Sequence, residues 1–330
     1  MKEKSIFYII CCLAILLFLF SLTVGKVEIS LKELFDLNDE VTQNLIFNFR
    51  LPKSITAVLI GLSLPIAGFL MQELFKNPLA EPSVLGVTSM ASLGVAIVVF
   101  LFALIGLEAW LNNPWILILA SFIGSIVALV LILLFGNKVK SSASLVILGF
   151  MLSGITVSLI GLLQYFSTSE KIKTFLMWGF GSLSGLSWEQ INVFALFLGI
   201  GLLFSYSTLR GVSALLLGEK YAQSVGVNIK KLRVVILLSS AILTASATAF
   251  TGPIAFIGLA IPHICRSVLK TGDMRMLFRW IVLSGVFVML LFSILTDLFP
   301  FGTLPINIIT SLVGAPIVIS ILLNNKYEVR

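Results

Sequence analysis

Residues that could carry out chemistry are few and scattered in this chain of 330 residues. Its three cysteines, Cys11, Cys12 and Cys265, lie within apolar runs and lack the spacing of a metal site. The single histidine, His263, could relay a proton, but a hydrogen-bonded imidazole near a helix end is the commoner role. The sequence contains no phosphate-binding loop, His-Glu-x-x-His zinc motif or Gly-x-Ser-x-Gly nucleophile motif. We therefore predict no catalytic residue and no metal site, and any ATP has to be hydrolysed by another protein.

The elements that position these residues have to be membrane helices, because the composition is far from that of a soluble protein. Apolar side chains make up 58% of the sequence and charged ones 11%, with a mean hydropathy of +1.11, whereas soluble domains average about 25% charged residues. The chain has nine uncharged runs of at least 17 residues, and a helix crosses a bilayer with about 20. Runs such as 129–135 are apolar on every face, which excludes the alternating strands of a transmembrane barrel. We predict an all-α, polytopic membrane protein.

The distribution of basic residues predicts how many spans there are and how they are oriented. If residues 234–265 crossed the membrane once, two strongly basic loops would lie on opposite sides. A turn at Gly252-Pro253 keeps both loops on one side, since proline breaks a helix and glycine permits the turn. A single domain, 1–330, then has both termini in the cytoplasm and 16 of its 22 Lys and Arg residues inside. Its ten predicted spans are about 5–25, 54–71, 84–106, 114–135, 143–166, 190–209, 234–251, 254–269, 280–296 and 305–324.

The predicted spans lack the charged residues that ion-coupled carriers usually bury. No Asp, Glu, Lys or Arg lies in the middle of a span, and the deepest candidates are Asp297 and His263. This pattern disfavours an ion-coupled secondary transporter, although sodium coordinated by backbone oxygens would leave no such residue. A membrane enzyme is disfavoured by the missing nucleophile and metal motifs. The basic residues form no patch interleaved with aromatics, so we expect no nucleic acid as a partner.

Two predicted cytoplasmic segments are candidates for docking or gating. The segment 72–82 contains two prolines that fix a non-helical turn, which fits either a rigid pore mouth or a simple tight connection. The segment 217–227 is polar, has helix-favouring residues at 219–224 and places a helix terminator at Gly226. It fits either a short surface helix that engages a partner protein or a solvated loop.

These segments belong to a larger set of ordered motifs through which the chain resembles a known family. Over about residues 50–323 it is similar to FecCD-type permeases, the permease subunits of ABC importers for iron-siderophore, haem and vitamin B12. The first motifs are Arg50-Leu-Pro-Lys53, Gly68 to Gln72, Asn77-Pro-Leu-Ala-Glu-Pro82 with Leu85-Gly-Val87, and Gly181-Ser-Leu-Ser-Gly185 before Trp188. The later ones are Leu217-Gly-Glu219 with Ala222 and Gly226-Val227, Gly252-Pro253 with Phe256-Ile-Gly-Leu259, Pro262-His-Ile264 with Arg266, and Leu304-Pro305 with Gly314-Ala-Pro316.

The resemblance implies a type II ABC importer permease with ten transmembrane helices. It would pair with a second permease subunit, as a homodimer or a heterodimer, around a central path. A dimer of ABC ATPase subunits would bind ATP and Mg²⁺, so no cofactor is expected on this chain. An extracellular or periplasmic substrate-binding protein would deliver the cargo. The chain would be a non-catalytic, multi-pass subunit in the plasma (inner) membrane.

The resemblance also implies roles for individual residues. ATPase coupling is expected from Gly218, Glu219, Ala222, Gly226 and Val227, with Glu219 and Ala222 at the ATPase interface. The cytoplasmic gate of the family matches Asn77, Leu79, Ser141 and Ser142. Docking of the binding protein would use Arg50 and Lys53, which match outer basic residues that meet acidic partners, although basic residues at a span end more commonly anchor it at head groups.

Some positions depart from the pattern of the family. Phe292, Thr296 and Thr303 stand where many relatives carry Asp, Arg and Glu, and Lys53 replaces a bidentate arginine. One outer basic contact is therefore missing, and a heterodimer whose second permease supplies it would explain the loss. From the family we expect ferric siderophore as the cargo. Haem and vitamin B12 are the alternatives within the family, and an ion-coupled secondary transporter is the alternative outside it.

Overall fold

The computed structural model describes residues 2–25, 27, 29, 39–104, 106–136, 142–299 and 302–323, and every regular element in these ranges is helical. The first six α-helices are α1 (Lys2–Thr23), α2 (Glu40–Leu45), α3 (Leu51–Phe75), α4 (Val87–Leu104), α5 (Pro114–Gly136) and α6 (Ser142–Tyr165). The others are α7 (Ser169–Gly179), α8 (Trp188–Leu216), α9 (Glu219–Ser224), α10 (Ile229–Thr251), α11 (Ile257–Leu269), α12 (Met274–Asp297) and α13 (Ile306–Leu323). A π-helical turn at Ile46–Arg50 joins α2 to α3, and 3-10 turns at Pro82–Leu85 and Glu108–Asn112 precede α4 and α5. The predicted all-α class is confirmed.

Within the described ranges, ten apolar helical segments lie at the ten predicted spans. Seven are long enough to cross a membrane, namely α1, the continuous segment from α2 to α3, α5, α6, α8, α10 and α12. The shorter apolar helices are α4, α11 and α13. The chain reverses between α10 and α11 at Gly252, which has a φ of +74°, so the predicted turn at Gly252-Pro253 is present. This reversal leaves α11 with 13 residues, about 20 Å of helix.

Several helices extend beyond the predicted spans. α8 continues to Leu216 instead of 209, α10 begins at Ile229 instead of 234, and α12 begins at Met274 instead of 280. The prediction ended each span at a charged residue, whereas a helix continues wherever its backbone hydrogen bonds continue. The basic residues at these positions therefore extend from helical turns at the predicted cytoplasmic end of the bundle.

Helix α3 lies at the centre of the bundle and is buried along nearly its whole length. Its residues Ile60, Ile66, Phe69, Leu70 and Met71 are among the largest fully buried side chains of the described chain. The helices α8, α10, α11 and α12 all pack against it. Membrane helices gain little from hydrophobic burial against each other, so such a centre depends on close van der Waals packing.

Glycines allow two neighbours to approach the backbone of α3 directly. A Cβ atom built at Gly68 would overlap the backbone of Gly258 in α11, and one built at Gly285 in α12 would overlap the backbone of Gly61. Small residues at such crossings let helix backbones come into contact. The positions of α11 and α12 therefore depend on these glycine pairs.

A second, smaller packing unit joins α4, α6 and α7. Its buried centre consists of Leu93, Val95, Ala96, Val99, Phe100 and Ile160, and it is separate from the core around α3. Helix α6 is weakly enclosed, since 17% of its most apolar stretch is buried, against 83% for the segment that contains α3. One face of α6 is thus left open in the single chain.

The glycine crossing of α3 and α11 can be tested by adding one methyl group. We expect Gly68→Ala to lower the free energy of unfolding by about 1–3 kcal/mol, the usual cost of overpacking a filled core. Gly161→Ala in α6 is the matched control, because its added Cβ meets no heavy atom within 4 Å. Unfolding of the purified variants in mixed micelles measures both values. Equal stability of the two variants would contradict the close approach of α3 and α11.

Candidate functional site

The segment 217–227 forms a short helix between two transmembrane helices. The predicted helix over 219–224 is present as α9, and it is bounded by Gly218 with a φ of +108° and Gly226 with a φ of +85°. The Ala222 N–H donates to the Gly218 carbonyl oxygen at 3.0 Å, and the Val227 N–H donates to the Ala222 carbonyl oxygen at 2.9 Å. Glycine adopts positive φ without strain, so the two glycines permit the sharp turns that join α9 to α8 and α10.

The exposed side of α9 is partly apolar although it lies at the predicted aqueous end. Leu217, Tyr221 and Val225 are 68%, 47% and 54% exposed. Exposed apolar side chains grouped in this way are typical of an interaction surface. Glu219 lies on the same exposed helix, and its carboxylate is 3.6 Å from the Arg233 guanidinium in α10. The arrangement is suited to contact with a partner protein through a small, firmly held helix.

Ala222 was expected at the ATPase interface, and this role stays a prediction. Its side chain is completely buried within the chain, where α9 packs against α8 and α10. A methyl group fits this position because a larger side chain would lift α9 from the bundle. Ala222 therefore packs α9 against the bundle, and the exposed side chains beside it, Leu217, Tyr221 and Val225, are those that a partner could reach.

The candidate gate loop between α3 and α4 is organised by Asn77. The Asn77 side-chain oxygen accepts from the Leu79 N–H at 2.9 Å, and the Asn77 carbonyl oxygen accepts from the Ala80 N–H at 3.1 Å. Further along the loop, burial raises the pKa of the Glu81 carboxyl above its usual value, an effect that the hydrogen bond from Ser83 opposes. The loop is thus a fixed turn, as its prolines predicted.

The remaining gate positions are described only in part. Ser142 begins α6, but its side chain and the whole of Ser141 lie outside the described residues. The 3-10 turn at Pro82–Leu85 packs against α6, and a Cβ at Gly86 would lie 3.3 Å from the Gly149 carbonyl oxygen. The loop and α6 are therefore neighbours, and the gate formed by Asn77, Leu79, Ser141 and Ser142 stays a prediction.

An ion pair that the sequence analysis did not predict joins α3 to α11 near the candidate gate. The Arg266 guanidinium donates to Glu73 Oε1 at 2.5 Å and also to the side-chain oxygen of Gln72. Gln72 Nε2 donates in turn to the Leu259 carbonyl oxygen at 3.2 Å. A signal was present in the sequence, since Glu73 and Arg266 are opposite charges at the ends of two spans predicted to finish on the same side. The pair fixes the end of α3 from which the gate loop leaves.

At the predicted outer end, Arg50 is directed into the protein. It is 7% exposed, and its guanidinium donates to the Leu22 carbonyl oxygen at 2.7 Å and to the Val27 carbonyl oxygen. These carbonyl groups belong to the end of α1 and the segment after it. Arg50 thus joins α1 to the start of α3 in this conformation, and its expected docking role stays a prediction.

The charge of Lys53 is also engaged within the chain. Its Nζ lies 2.5 Å from Asp297 Oδ2 and 3.1 Å from Thr296 Oγ1, and the two charged side chains are 12% and 16% exposed. The pair joins the start of α3 to the end of α12. A docking carboxylate would have to compete with Asp297 for Lys53, so docking through this lysine also stays a prediction.

A cavity of about 310 Å³ lies beside this ion pair. Lys53, Thr296, Thr303 and residues 180–184 line it. Thr296 and Thr303 are two of the positions at which the sequence departs from the family pattern, and here they supply hydroxyl groups in place of charges. The backbone of 180–184 is held by a hydrogen bond from the Ser182 N–H to the Thr251 carbonyl oxygen at 2.8 Å.

The ion pair between Lys53 and Asp297 makes a stability prediction. Lys53→Met should lower the free energy of unfolding by about 2–3 kcal/mol, because it leaves a largely buried carboxylate without its partner. The double variant Lys53→Met/Asp297→Leu should recover most of this loss, since it removes both charges. Unfolding in mixed micelles measures the cycle. If the effects of Lys53→Met and Asp297→Leu simply added in the double variant, the two side chains would not interact.

Comparisons with known proteins agree with this architecture. The FecCD transport family model matches residues 13–324. The chain is 34% identical to the vitamin B12 import system permease protein BtuC of Photorhabdus laumondii, over 96% of this chain and 91% of that protein. It is 33% identical to the molybdate import system permease protein MolB of Haemophilus influenzae, over 84% of this chain and 81% of that protein.

A solved structure is similar over nearly the whole length. It is described as an inward-facing conformation of a transporter assigned to the metal-chelate ABC type. The two chains share 30% sequence identity with a TM-score of 0.85, and the match covers 97% of this chain and 99% of the other.

Proposed function

The chain belongs to the FecCD transport family of ABC importer permeases, and we propose that its cargo is a ferric siderophore. As a permease with several membrane spans it lies in the inner membrane. We further propose that both termini are cytoplasmic, which the excess of basic residues in the predicted inner loops supports. Two features carry the proposal. Helix α6 has an open surface without charges, and the short helix α9 lies at the basic, predicted cytoplasmic end of the bundle.

The path helix in this proposal is α6. Phe150, Met151, Ile155 and Leu162 are all exposed in the single chain, and they line an open groove of about 600 Å³ together with Gly154, Ser158 and Leu159. We propose that a second permease subunit faces this groove and that cargo passes between the two copies. A surface without charges would let a bulky organic chelate slide, whereas a small anion such as molybdate would lose its hydration there without compensation.

The docking helix in this proposal is α9. Two partner ATPase subunits would bind ATP and Mg²⁺, and their movement would reach the bundle through the exposed residues Leu217, Tyr221 and Val225. The buried Ala222 would transmit that movement to α8 and α10 because it fixes α9 against them. An external binding protein would deliver the cargo at the opposite end, in the region of Lys53 and the cavity beside it. The dimer would then alternate between outward and inward openings.

Two alternatives remain for comparison. Haem or vitamin B12 as cargo is favoured by the names of other members of the family. BtuC is a vitamin B12 import permease, and HmuU of Yersinia pestis is a hemin transport permease. An ion-coupled carrier is opposed by the described spans, in which no Asp, Glu, Lys or Arg lies in the central third of a helix, although the imidazole of His263 lies in the middle of α11.

Reconstitution tests the cargo directly. The chain is placed in proteoliposomes with its cognate ATPase and binding protein, and uptake of a radiolabelled ferric siderophore is compared with uptake of haem and cobalamin. We expect ATP-dependent uptake of the ferric siderophore in preference to the other two. Preferred uptake of haem or cobalamin would contradict the proposed cargo, and uptake driven by an ion gradient without ATP would contradict the ATP-driven importer mechanism.

The docking role of α9 is tested at Gly226, the glycine that follows this helix. Gly226→Pro forces φ to about −65° where the structure has +85°, and it removes the N–H that donates to the Gln223 carbonyl oxygen at 3.0 Å. We expect the affinity for the ATPase to fall about tenfold, equivalent to ~1.4 kcal/mol. Biolayer interferometry with the purified ATPase measures this affinity.

Gly185→Pro is the matched control. Gly185 also has a positive φ, +92°, and like Gly226 it has open space around its Cβ position, but it lies in the loop at the predicted outer end. This variant should keep the normal ATPase affinity. An equal loss in both variants would indicate general misfolding, and no loss in Gly226→Pro would remove α9 from the ATPase interface.

A further inference from the structure

Three exposed arginines on two neighbouring helices form a cluster at the predicted cytoplasmic end. Arg210 lies near the end of α8, and Arg275 and Arg279 lie in the first two turns of α12. The two helices are in contact here, because the ring centroids of Tyr206 in α8 and Phe278 in α12 are 5.9 Å apart. This ring pair fixes the height at which the arginine cluster lies.

The arginine cluster lies beside the ring pair, toward the cytoplasm. Arg210 follows Tyr206 by four positions and Arg275 precedes Phe278 by three, so each arginine shares a helix face with its ring. Since α8 is predicted to run inward and α12 outward, both offsets point to the cytoplasm, by about 6 Å and about 4.5 Å of helix. Arg279 follows Phe278 and is long enough to reach the same height.

The charge of the arginine cluster is not neutralised within the described part of the chain. Among the described residues no carboxylate forms an ion pair with any of the three guanidinium groups, and the ion pairs that do form use other basic side chains. The acidic residue before α12, Asp273, accepts from the backbone N–H of Arg275 at 2.8 Å and of Met276 at 3.3 Å, and so caps the helix. It offsets at most one of the three charges.

The surface on the other side of the ring pair is apolar and open. Leu203 lies one turn before Tyr206, and the two side chains are 74% and 56% exposed. Residues 191–209 of α8 include no charged residue. A surface that is apolar within the span and basic where it leaves the membrane matches the two parts of a phospholipid. An acidic protein surface would meet the arginines but would leave the apolar part uncovered.

We propose that the arginine cluster binds one anionic phospholipid of the cytoplasmic leaflet. The guanidinium groups bind the phosphodiester, which their planar, forked arrangement of donors suits, and an acyl chain lies along Tyr206 and Leu203. This site goes beyond the proposed function, because it includes neither the path helix α6 nor the docking helix α9. Since α8 leads directly into α9, the bound lipid supports the base of the docking helix.

Native mass spectrometry of the full chain, stripped of lipid in mild detergent, tests the site. It measures the binding of phosphatidylglycerol and of phosphatidylcholine with the same acyl chains. We expect saturable binding of phosphatidylglycerol, tighter than that of phosphatidylcholine. Arg210→Gln and Arg275→Gln should each lower this affinity about fivefold, the effect of one basic residue near an anionic lipid surface. The double variant should lower it about 25-fold.

Lys230→Gln is the matched control, because it removes one positive charge at the same end of the bundle. Lys230 is exposed in the first turn of α10. It stands two positions before Leu232, whose side chain lies against Gly211 of α8, and residues two positions apart do not share a helix face. Lys230 is therefore directed away from α8, and its replacement should leave the affinity for phosphatidylglycerol unchanged.

Four results would overturn the lipid site. They are absence of saturable phosphatidylglycerol binding, equally tight binding of phosphatidylcholine, an equal loss of affinity in Arg210→Gln and Lys230→Gln, and a loss of ATPase affinity in Arg210→Gln while lipid binding is unchanged. The last result would assign the arginine cluster to the ATPase.

The lipid measurement is independent of the proposed function. It uses neither cargo nor ATP, so absence of lipid binding would overturn the site and leave the siderophore cargo as it stands. Absence of uptake of any ferric siderophore in proteoliposomes would contradict the cargo, whatever the lipid result.

Discussion

The close approach of α11 and α12 to the backbone of α3 is the constraint on which the rest of the structure depends. Hydrophobic burial does not distinguish one helix neighbour from another inside a bilayer, so the arrangement has to come from shape and from a few polar contacts. Gly68 and Gly258 remove the side chains at one crossing, and Gly61 and Gly285 remove them at the other. Because the backbones meet there, a shift of α11 or α12 displaces α3, and α3 begins and ends at the two ends of the molecule where docking and gating are proposed.

Polar contacts at each end of α3 fix the position that the glycines permit. Lys53 and Asp297 join α3 to α12 at the predicted outer end, and Glu73 and Arg266 join α3 to α11 at the predicted cytoplasmic end. The unit of α4, α6 and α7 has its own small core beside this rigid centre. The molecule therefore combines a large packed body around α3 with a smaller packing unit that carries the proposed path. Such a division suits a permease, which has to hold its partners while it opens and closes a path.

The sequence predicted the all-helical class and the order of the apolar helices well, because both depend on quantities that are read along the chain. Long apolar runs indicated the spans, and the basic loops required the reversal at Gly252, where the structure has a positive φ. Helix ends were less predictable, since α8, α10 and α12 continue past their first charged residues. A charged residue ends an apolar run but does not end a helix.

The direction of individual side chains could not be read from the sequence. Arg50 was expected at the surface but donates to carbonyl groups at the end of α1, and Ala222 was expected at an interface but is buried. Both outcomes depend on which face of a short helix meets the bundle, and segments of five or six residues carry too little periodicity to decide that. The pairing of Glu73 with Arg266 joins residues 193 positions apart, so only the fold brings it together.

Native mass spectrometry of the transporter, purified from its own membrane in mild detergent, tests most directly the claim that this chain is one half of an ATP-driven permease. We predict an assembly of two permease subunits and two ATPase subunits, in which the second permease is either a copy of this chain or a relative of it. Recovery of this chain without any ATPase, in a form that transports cargo on an ion gradient alone, would contradict the account.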